Sequence, residues 1–520
     1  MVSLAEVSKA IHRILVCVEG TLRLGLLVFV LPGILFFAMS QLRLVDGDEG
    51  FYLLASRLVA EGQAPYHDFF YPQTPLLPYA YSGWAEVFGL SWRSARCLSA
   101  LFAGATSVIV YALTRCCGAS PRRALLAVVV FALSGPTLAW LVVVKTYPLA
   151  LFLLVAAALL IVAPSTRFSL LRLFLAGVLV GCAIGTRLTM TVALPAFAYS
   201  LFTLEAYRRH KLAAFAAAGF GLACGILPII WTMAGGPERF WFDNVGYHLE
   251  GGPPNLFANL AHKFKILTRL AGARLMNGDA GSYHYLIHFL LFGCAWRRGL
   301  FDDPRRRFLA VLVGCLVLGH LLPKQVHLQY FVAVIPFTSC VAALVPGSGG
   351  STRSNRVLLT LALIGVFLAP LEWVRLTAWG HKVPGVRGHA DAINWRIGTI
   401  LRVSTELDDL LEPDSLVFAS WPGYLVETRL QPLPGTENHF ARSGAIAIDL
   451  ERSQRYRVAG VNQIETAIRE RRPSAVVLGN WSGDMRMEEP LDAAGYRPAR
   501  SIEGARVYTR PGRAASRVEQ

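Results

Sequence analysis

Charged residues are scarce in this sequence of 520 residues. Only 16% of its positions carry Asp, Glu, Lys or Arg, whereas 54% are hydrophobic, and soluble domains carry about 25% charged residues. The deficit excludes a disordered chain, which needs low hydrophobicity. It also argues against several soluble domains, because this much apolar surface needs a solvent other than water. No short repeat is present, which excludes collagen-like and coiled-coil order.

Lysine is absent from residues 385–520, where 18 Arg balance 18 acidic residues. Residues 1–384 hold 32 basic and 16 acidic residues, so the whole net charge of +16 belongs to the hydrophobic part. A nucleic-acid binder concentrates its basic residues on a soluble module. Here they lie in short segments between apolar runs, which is how membrane proteins fix their orientation. The sequence therefore predicts membrane lipids, and not nucleic acid, as its surroundings.

Several common motifs are also missing. The nine cysteines have neither the spacing of a zinc site nor that of a disulfide framework. No Walker-type loop or dinucleotide fingerprint is present, which disfavours an ATP-driven pump. We recognise no cleavable signal peptide, so the first apolar run is interpreted as an uncleaved helix.

The apolar runs predict an α-helical, polytopic membrane protein. A membrane helix needs about 20 apolar residues, and about eleven segments qualify. They are residues 22–40, 92–114, 123–142, 146–163, 169–186, 189–205, 212–233, 283–296, 307–322, 328–345 and 357–377. Basic residues concentrate in alternate connecting segments, which predicts a cytoplasmic N-terminus and an extracytoplasmic C-terminus in a bacterial inner membrane.

Two regions follow from this pattern. Residues 1–384 are the predicted transmembrane domain, including the outer loops 41–91 and 234–282. Residues 385–520 are the predicted extracytoplasmic domain, of α/β class because helical and buried-strand patterns alternate in it. Its predicted elements are helices at 401–411 and 464–471 and strands at 415–419, 475–478 and 505–509. Residues 50–61 of the first outer loop predict a helix lying along the interface.

The first outer loop is acidic in an otherwise basic membrane domain. Asp46, Asp48 and Glu49 place three carboxylates within four residues, and Asp68 follows after the predicted interfacial helix. Close carboxylates raise the pKa of one of them unless a cation compensates. Such a group suits a general base or a metal site. The alternative is a solvated acidic loop, which is how runs of charge are usually interpreted.

A resemblance to a known superfamily rests on this loop. The pattern Asp48-Glu49-x-x-Tyr52 is followed, after the predicted interfacial helix, by Tyr66-x-Asp68-x-x-Tyr71-x-Gln73-x-Pro75. It resembles the GT-C superfamily of integral membrane glycosyltransferases. Within it, the pattern resembles glycosyltransferase family 39, the dolichyl-phosphate-mannose protein mannosyltransferases, and the bacterial aminoarabinose and rhizobial lipopolysaccharide sugar transferases. The resemblance covers the architecture of the whole chain and is sharp over about 43–80.

The resemblance implies a chemistry and roles for these residues. Such enzymes pass a sugar from a polyprenyl-phosphate carrier to an acceptor hydroxyl, usually with inversion. Asp48 would be the base that deprotonates the acceptor, and Glu49 would support it or help to bind a metal. Asp46 adds a second candidate for the base. Asp68, Tyr71 and Gln73 would belong to the substrate-binding second motif. A divalent cation (Mg, Mn or Ca) is an open option with Asp48 and Glu49 as its ligands, and no other cofactor is implied.

A lipid-phosphate leaving group also needs cations on the same side. Each predicted short outer turn carries one base, Lys145, Arg187 or Lys324, although such turns are normally depleted in basic residues. His327 and Tyr330 follow Lys324, in a stretch that resembles the superfamily's turn before a Tyr-x-x-x-x-x-Pro helix. The alternative for each base is a side chain that snorkels to the interface.

The predicted function is therefore hexosyl or pentosyl transfer from a polyprenyl-phosphate sugar to a lipid, glycan or protein acceptor. A glycolipid flippase or secondary transporter is the alternative. A transporter places its ionisable residues in mid-helix, whereas most acids of the membrane half lie in outer loops. A receptor with an outer ligand-binding domain is a weaker alternative, since that domain has no recognisable site motif.

Overall fold

Helices dominate the chain in a computed structural model of the protein. The structure describes residues 22–164, 169–272, 282–297, 301–344, 352–380, 383, 386, 392–440, 448–481 and 487–510. The chain divides into two units. Unit 1 comprises residues 1–41, 99–229 and 254–373, and unit 2 comprises residues 42–98, 230–253 and 374–520. The domain boundary predicted at residue 384 stays a prediction.

Every segment predicted to cross the membrane contains helix. The helices are Leu22–Leu42, Trp92–Cys116, Pro121–Ala132, Gly135–Trp140, Thr146–Val162, Leu170–Thr186, Leu194–Thr203, Lys211–Ala234, Ser282–Trp296, Pro304–His320, Ile335–Ala343 and Thr352–Ala378. Among the described residues, three helices are long and apolar enough to cross a membrane, in Trp92–Cys116, Lys211–Ala234 and Leu359–Ala378. Five shorter apolar helices accompany them. The number of crossings, about eleven, stays a prediction.

Three of the predicted helices are not continuous α-helices. Segment 123–142 is interrupted at Leu133–Ser134, and a new helix begins at Gly135 with Pro136 in its first turn. Proline is tolerated there because its missing N–H has no partner in the first turn of a helix. The other two segments begin with 3-10 turns, Leu188–Ala193 and Leu328–Val334, before each continues as an α-helix.

Glycine contacts bring two helices of unit 1 together. Helix Leu170–Thr186 packs against helix Lys211–Ala234 so closely that a Cβ on Gly177 would lie 2.1 Å from the carbonyl oxygen of Ala218. A Cβ on Gly221 would lie 2.0 Å from the carbonyl oxygen of Phe174. Small residues at such contacts are typical of helix pairs in membranes, where close backbone approach provides the packing energy.

Unit 2 combines the first outer loop with the C-terminal domain. Its outer-loop helices are Glu49–Ala60, Leu76–Phe88, Pro237–Trp241 and Tyr247–Glu250, with a π-helical turn at Phe242–Gly246. The C-terminal domain contains helices Ile397–Leu410, Leu450–Tyr456, Val461–Arg469 and Glu488–Ala493, and 3-10 turns Ala392–Trp395 and Pro422–Leu425. Helix Leu256–Leu270 also belongs to the second outer loop, and it lies in unit 1.

The C-terminal domain contains a mixed sheet of five strands. The strands are β1 (Leu416–Ala419), β2 (Gln431–Pro432), β3 (Ala475–Leu478), β4 (Arg497–Ile502) and β5 (Ala505–Thr509), in the order β2-β1-β3-β5-β4. β1 pairs in parallel with β2 and β3, and β5 pairs antiparallel to β3 and β4. The predicted α/β class is confirmed.

Three segments that are distant in sequence meet in unit 2. The first outer loop, the second outer loop and the C-terminal helix Leu450–Tyr456 share hydrogen bonds and ring contacts. Arg239 donates to the carbonyl oxygens of His67 and Arg455, at 3.2 and 2.8 Å. Nη2 of Arg452 donates to both carboxylate oxygens of Glu250, at 2.6 and 2.7 Å. The first and second outer loops are therefore held to the C-terminal domain by defined contacts.

Candidate active site

The three carboxylates of the acidic motif have different surroundings. Asp46 is fully buried and pairs with Arg43 across 3.4 Å, and its Oδ1 accepts the backbone N–H of Asp48 at 3.0 Å. Asp48, which begins helix Glu49–Ala60, is partly exposed, and its side chain does not cap that helix. Of the three acids, Asp48 therefore has the most open access to a substrate.

Glu49 is held in a buried ion pair. Its Oε2 accepts Nε of Arg96 at 2.8 Å and its Oε1 accepts Nη2 of Arg96 at 2.5 Å. The same Oε1 accepts the backbone N–H of Asp46 at 2.7 Å. Arg96 also donates to the carbonyl oxygens of Arg43 and Leu44. A bidentate pair of this kind fixes a carboxylate strongly, so Glu49 organises the loop.

A turn of the C-terminal domain supports the start of the same helix. Trp421 donates its indole N–H to the carbonyl oxygen of Gly47 at 2.9 Å. Gly50 leaves no room for a side chain, since a Cβ there would lie 2.7 Å from the Trp421 ring and 2.8 Å from the backbone nitrogen of Gly423. The Trp421 ring also stacks on Trp92, with centroids 5.7 Å apart. The backbone around Asp48 is therefore supported from the C-terminal domain.

The second motif forms a tight turn around Asp68. Its Oδ2 accepts the backbone N–H of Ala64, and its Oδ1 contacts Nδ1 of His67, both at 2.8 Å. Partial burial raises the pKa of Asp68, but these hydrogen bonds outweigh it and leave the pKa below its ordinary value. Asp68 is thus an ionised group of this turn. Gln73 accepts the Tyr66 hydroxyl through its backbone carbonyl oxygen at 2.5 Å.

Tyr71 lies in a buried polar cluster that the sequence does not reveal. Asp243, in the π-helical turn of the second outer loop, accepts the Tyr71 backbone N–H at 2.9 Å. The Tyr71 hydroxyl, the Asp243 Oδ1 and the Asn244 Oδ1 are buried and have no hydrogen-bond partner among the described residues. Burial raises the pKa of Asp243 well above its ordinary value, and the hydrogen bond from the Tyr71 N–H opposes this shift only in part.

A separate set of cations occupies unit 1. Arg187 lies over the rings of Tyr147 and Tyr330, with its Cζ 4.6 and 4.8 Å from the two centroids. Its Nη1 donates to the Thr146 hydroxyl at 3.0 Å. Lys145, at the start of the same helix as Thr146, donates to Oε1 of Gln329 at 2.7 Å. Three of the predicted substrate-binding residues are therefore brought together: Lys145, Arg187 and Tyr330.

The turn that contains the other two predicted residues leads into this set. The His327 ring lies 5.4 Å from the Tyr330 ring. Asn259 of helix Leu256–Leu270 donates to the carbonyl oxygen of Lys324 at 2.6 Å, and the His262 ring contacts the carbonyl oxygen of Val326 at 2.8 Å. Lys324 thus belongs to a turn held by the second outer loop.

The contacts of Glu49 argue against its predicted role as a metal ligand. Both of its oxygens already accept hydrogen bonds from Arg96, which is a poor arrangement for binding a second cation. Among the described residues, no group of three or more His, Cys, Asp or Glu side chains is arranged to hold a metal ion.

Some of these residues were missed at the level of sequence. Arg96 begins a membrane helix, where a base usually reads as an interfacial anchor. Asp243 lies in a loop with no motif. Gln329 and Trp421 belong to no sequence motif, and neither side chain is ionisable, so nothing in the sequence identified them as site residues. A signal existed only for Arg96, which is a base near the predicted outer end of a helix that follows an acidic loop.

The described helices and the C-terminal sheet have the fold of GT-C glycosyltransferases. Residues 72–231 match the family model of dolichyl-phosphate-mannose-protein mannosyltransferase. The resemblance inferred from the sequence is confirmed, and so is the predicted fold class, a mostly helical GT-C fold with a small C-terminal sheet.

Solved structures with this fold include two of ArnT from Cupriavidus metallidurans. The apo structure is 14% identical with a TM-score of 0.65, and the structure bound to undecaprenyl phosphate is 12% identical with a TM-score of 0.62. Both cover 93% of this chain and 97% of theirs. Arabinofuranosyltransferase AftD from Mycobacteria has a TM-score of 0.52 at 14% identity, covering 94% of this chain and 40% of its own. Comparison with curated protein sequences gave no match.

Proposed function

We propose that the chain is a membrane glycosyltransferase that moves a sugar from a polyprenyl-phosphate carrier to an acceptor hydroxyl at the outer face of the bacterial inner membrane. The observation that carries the proposal is the difference in pairing and exposure among the three carboxylates of the acidic motif. Asp46 and Glu49 are neutralised by Arg43 and Arg96, whereas Asp48 is partly exposed. The fixed side chains of Asp46 and Glu49 thereby hold the loop in which Asp48 is accessible to a substrate.

In the proposed reaction Asp48 is the general base. It takes the proton from the acceptor hydroxyl as the acceptor oxygen attacks the anomeric carbon of the donor sugar. The bond between that carbon and the phosphate oxygen breaks, and the electron pair leaves with the polyprenyl phosphate. Attack opposite the leaving group inverts the anomeric centre. General-base catalysis of this kind contributes about 10²–10⁴-fold to the rate.

Lys145 and Arg187 are assigned to the donor phosphate. A fixed guanidinium and ammonium stabilise the charge that develops on the departing phosphate. Arg187 is suited to this task because Tyr147 and Tyr330 hold the guanidinium plane, and a planar guanidinium recognises phosphate in two-pronged geometry. The match to the mannosyltransferase family model and the ArnT structure bound to undecaprenyl phosphate support a polyprenyl-linked donor.

The buried cluster around Tyr71 is assigned to a hydroxylated substrate. Its three unpartnered atoms offer a hydroxyl from Tyr71, a carboxyl oxygen from Asp243 and an amide oxygen from Asn244. A buried polar atom without a partner costs about 1–3 kcal/mol, so a ligand hydroxyl that satisfied it would bind with a gain of that order.

The direct test is to incubate the purified full-length protein in liposomes with undecaprenyl-phosphate sugars, one hexose and one pentose, labelled in the sugar. Envelope extract supplies the acceptors. We expect labelled product together with equimolar release of undecaprenyl phosphate. Movement of the intact donor across the bilayer without release of undecaprenyl phosphate would instead support a flippase and contradict the proposal.

A further inference from the structure

The C-terminal domain places an aromatic patch beside the helix that begins at Asp48. Phe51 lies three residues after Asp48, on the same side of that helix. Its ring lies 5.9 Å from the Phe440 ring and 6.2 Å from the His439 ring. The Trp481 ring lies 5.4 Å from Phe440 and 4.3 Å from His439. The four rings form a continuous surface that extends from the helix of Asp48 into the C-terminal domain.

Two of these rings reach the surface of the protein. Phe440 and Trp481 are partly exposed, whereas His439 is buried beneath them. Trp481 has a φ of 68°, a left-handed conformation that costs a non-glycine residue about 1–3 kcal/mol. The preceding residue is fixed by hydrogen bonds, since the Asn480 N–H donates to the Tyr424 hydroxyl and the Asn480 side chain donates to the carbonyl oxygen of Asn394. The hydrogen bonds of Asn480 thus hold the Trp481 backbone in its strained conformation, which fixes the position of the Trp481 ring.

Polar groups with unused hydrogen-bonding capacity immediately precede His439 and Phe440 in the sequence. The Asn438 Oδ1 accepts the Phe440 N–H at 2.8 Å, and the Glu437 Oε1 accepts the Gly435 N–H at 3.1 Å. The Asn438 Nδ2 and the Glu437 Oε2 are buried and have no hydrogen-bond partner in the described part of the chain. Native proteins contain few such atoms, and a bound ligand is one of the explanations for them, beside an ordered water, an ion or local strain.

We propose that Glu437, Asn438, Phe440 and Trp481 form a carbohydrate-binding subsite that holds a sugar ring of the acceptor. A sugar ring has an apolar C–H face, which stacks on exposed aromatic rings, and hydroxyls around its edge, which need donors and acceptors. The two rings supply the stacking surface, the Asn438 amide supplies a donor and the Glu437 carboxyl supplies an acceptor. The inference rests on the proposed glycosyl transfer and adds the chemical class of the acceptor, a glycan or glycolipid.

Binding can be tested without any sugar transfer. The probe is the pool of oligosaccharides released by mild acid from the envelope of the producing bacterium, and saturation-transfer NMR reports its binding to the full-length protein in nanodiscs. We expect Trp481→Ala and Phe440→Ala to weaken the signal at least fivefold, whereas Trp481→Phe keeps most of it. Trp241→Ala and Phe88→Ala are matched controls, because both rings are exposed in unit 2 and neither stacks on a ring of the patch. Neither should change the signal. Equal signals from wild type and Trp481→Ala would overturn the subsite.

Activity gives a second and separate measurement. Donor hydrolysis in the absence of acceptor needs the donor site and Asp48, with water as the nucleophile, whereas transfer to envelope glycans needs the acceptor subsite as well. We expect Trp481→Ala and Asn438→Leu to lower transfer at least tenfold with hydrolysis within twofold of wild type. A parallel loss of transfer and hydrolysis in these variants would contradict the subsite. Wild-type protein that transfers the sugar to Ser/Thr peptides and not to glycans would also contradict it. Wild-type protein that binds the oligosaccharides but cleaves no polyprenyl-phosphate sugar would refute the proposed function and leave the subsite standing.

Discussion

The ion pair between Arg96 and Glu49 allows a prediction whose size follows from the structure. Both side chains are fully buried. Replacing Arg96 with Met leaves the Glu49 carboxylate with the Asp46 N–H, and it removes donors from two backbone carbonyl oxygens. Breaking a buried pair by removing one partner costs about 3–5 kcal/mol. We therefore expect Arg96→Met to lower the free energy of unfolding by that amount.

The assay is thermal unfolding of the purified protein in detergent. At about 2 °C per kcal/mol, the midpoint should fall by about 6–10 °C. The double variant Arg96→Met with Glu49→Met should regain much of this loss, because no charge is then left buried. It should not regain sugar transfer, since the backbone that carries Asp48 has lost its fixed support.

A matched control comes from the surface of the C-terminal domain. Arg500 pairs with Glu406 at 3.1 Å, with side chains 49% and 39% exposed, and exposed pairs contribute about 0–1 kcal/mol. Arg500→Met should therefore shift the midpoint by less than about 2 °C. Equal shifts for Arg96→Met and Arg500→Met would refute the reasoning from burial.

Three further predictions concern the donor, the helix start and pH. Arg187→Met should lower kcat/KM for the undecaprenyl-phosphate sugar at least tenfold with little change in KM for the acceptor, as steady-state kinetics would show. An unchanged donor kcat/KM would remove Arg187 from the phosphate site. Gly50→Ala should destabilise the protein because its Cβ would overlap the Trp421 ring. In the control Gly398→Ala, nothing lies within 4 Å of the new Cβ, so the helix should be stabilised by up to about 1 kcal/mol. A thermal midpoint higher for Gly50→Ala than for Gly398→Ala would contradict the close contact between Gly50 and Trp421. Burial raises the pKa of Glu437 from 4.5 to about 7, so the folded state holds this proton more tightly than the unfolded state. The contribution of Glu437 to the free energy of unfolding is greatest below pH 4.5 and falls by about 3 kcal/mol as the pH rises to about 7. In thermal scans from pH 4 to 8, Glu437→Gln should lose the part of the pH dependence of stability that lies between these values. A pH dependence equal to that of wild type would show that Glu437 is not the titrating group.

The sequence predicted the helices well because hydropathy reports burial in lipid over a whole segment. It did not predict the break at Leu133–Ser134, because hydropathy averaged over the whole segment hides the Gly135-Pro136 pair at which the next helix begins. Strands β1, β3 and β5 were predicted from their apolar runs, whereas β4 (Arg497–Ile502) was missed because most of its side chains are exposed.

The acidic loop was recognisable as a candidate site, but its internal roles were not. Asp46, Asp48 and Glu49 are equivalent in sequence, and only their contacts with Arg43 and Arg96 separate them. The same applies to Asp243, whose burial depends on how the second outer loop packs against Tyr71. Residues that act through tertiary packing leave no local pattern for sequence reasoning to detect.

The central claim is that Asp48 is the base of a glycosyl transfer. The measurement that tests it most directly is the rate of sugar transfer from a labelled undecaprenyl-phosphate sugar by Asp48→Asn, compared with wild type in liposomes at equal amounts of folded protein. Asparagine keeps the shape of the side chain and cannot accept the proton. The account predicts a loss of about 10²–10⁴-fold in kcat, with the thermal midpoint and KM for the donor unchanged. Transfer at the wild-type rate by Asp48→Asn would contradict it.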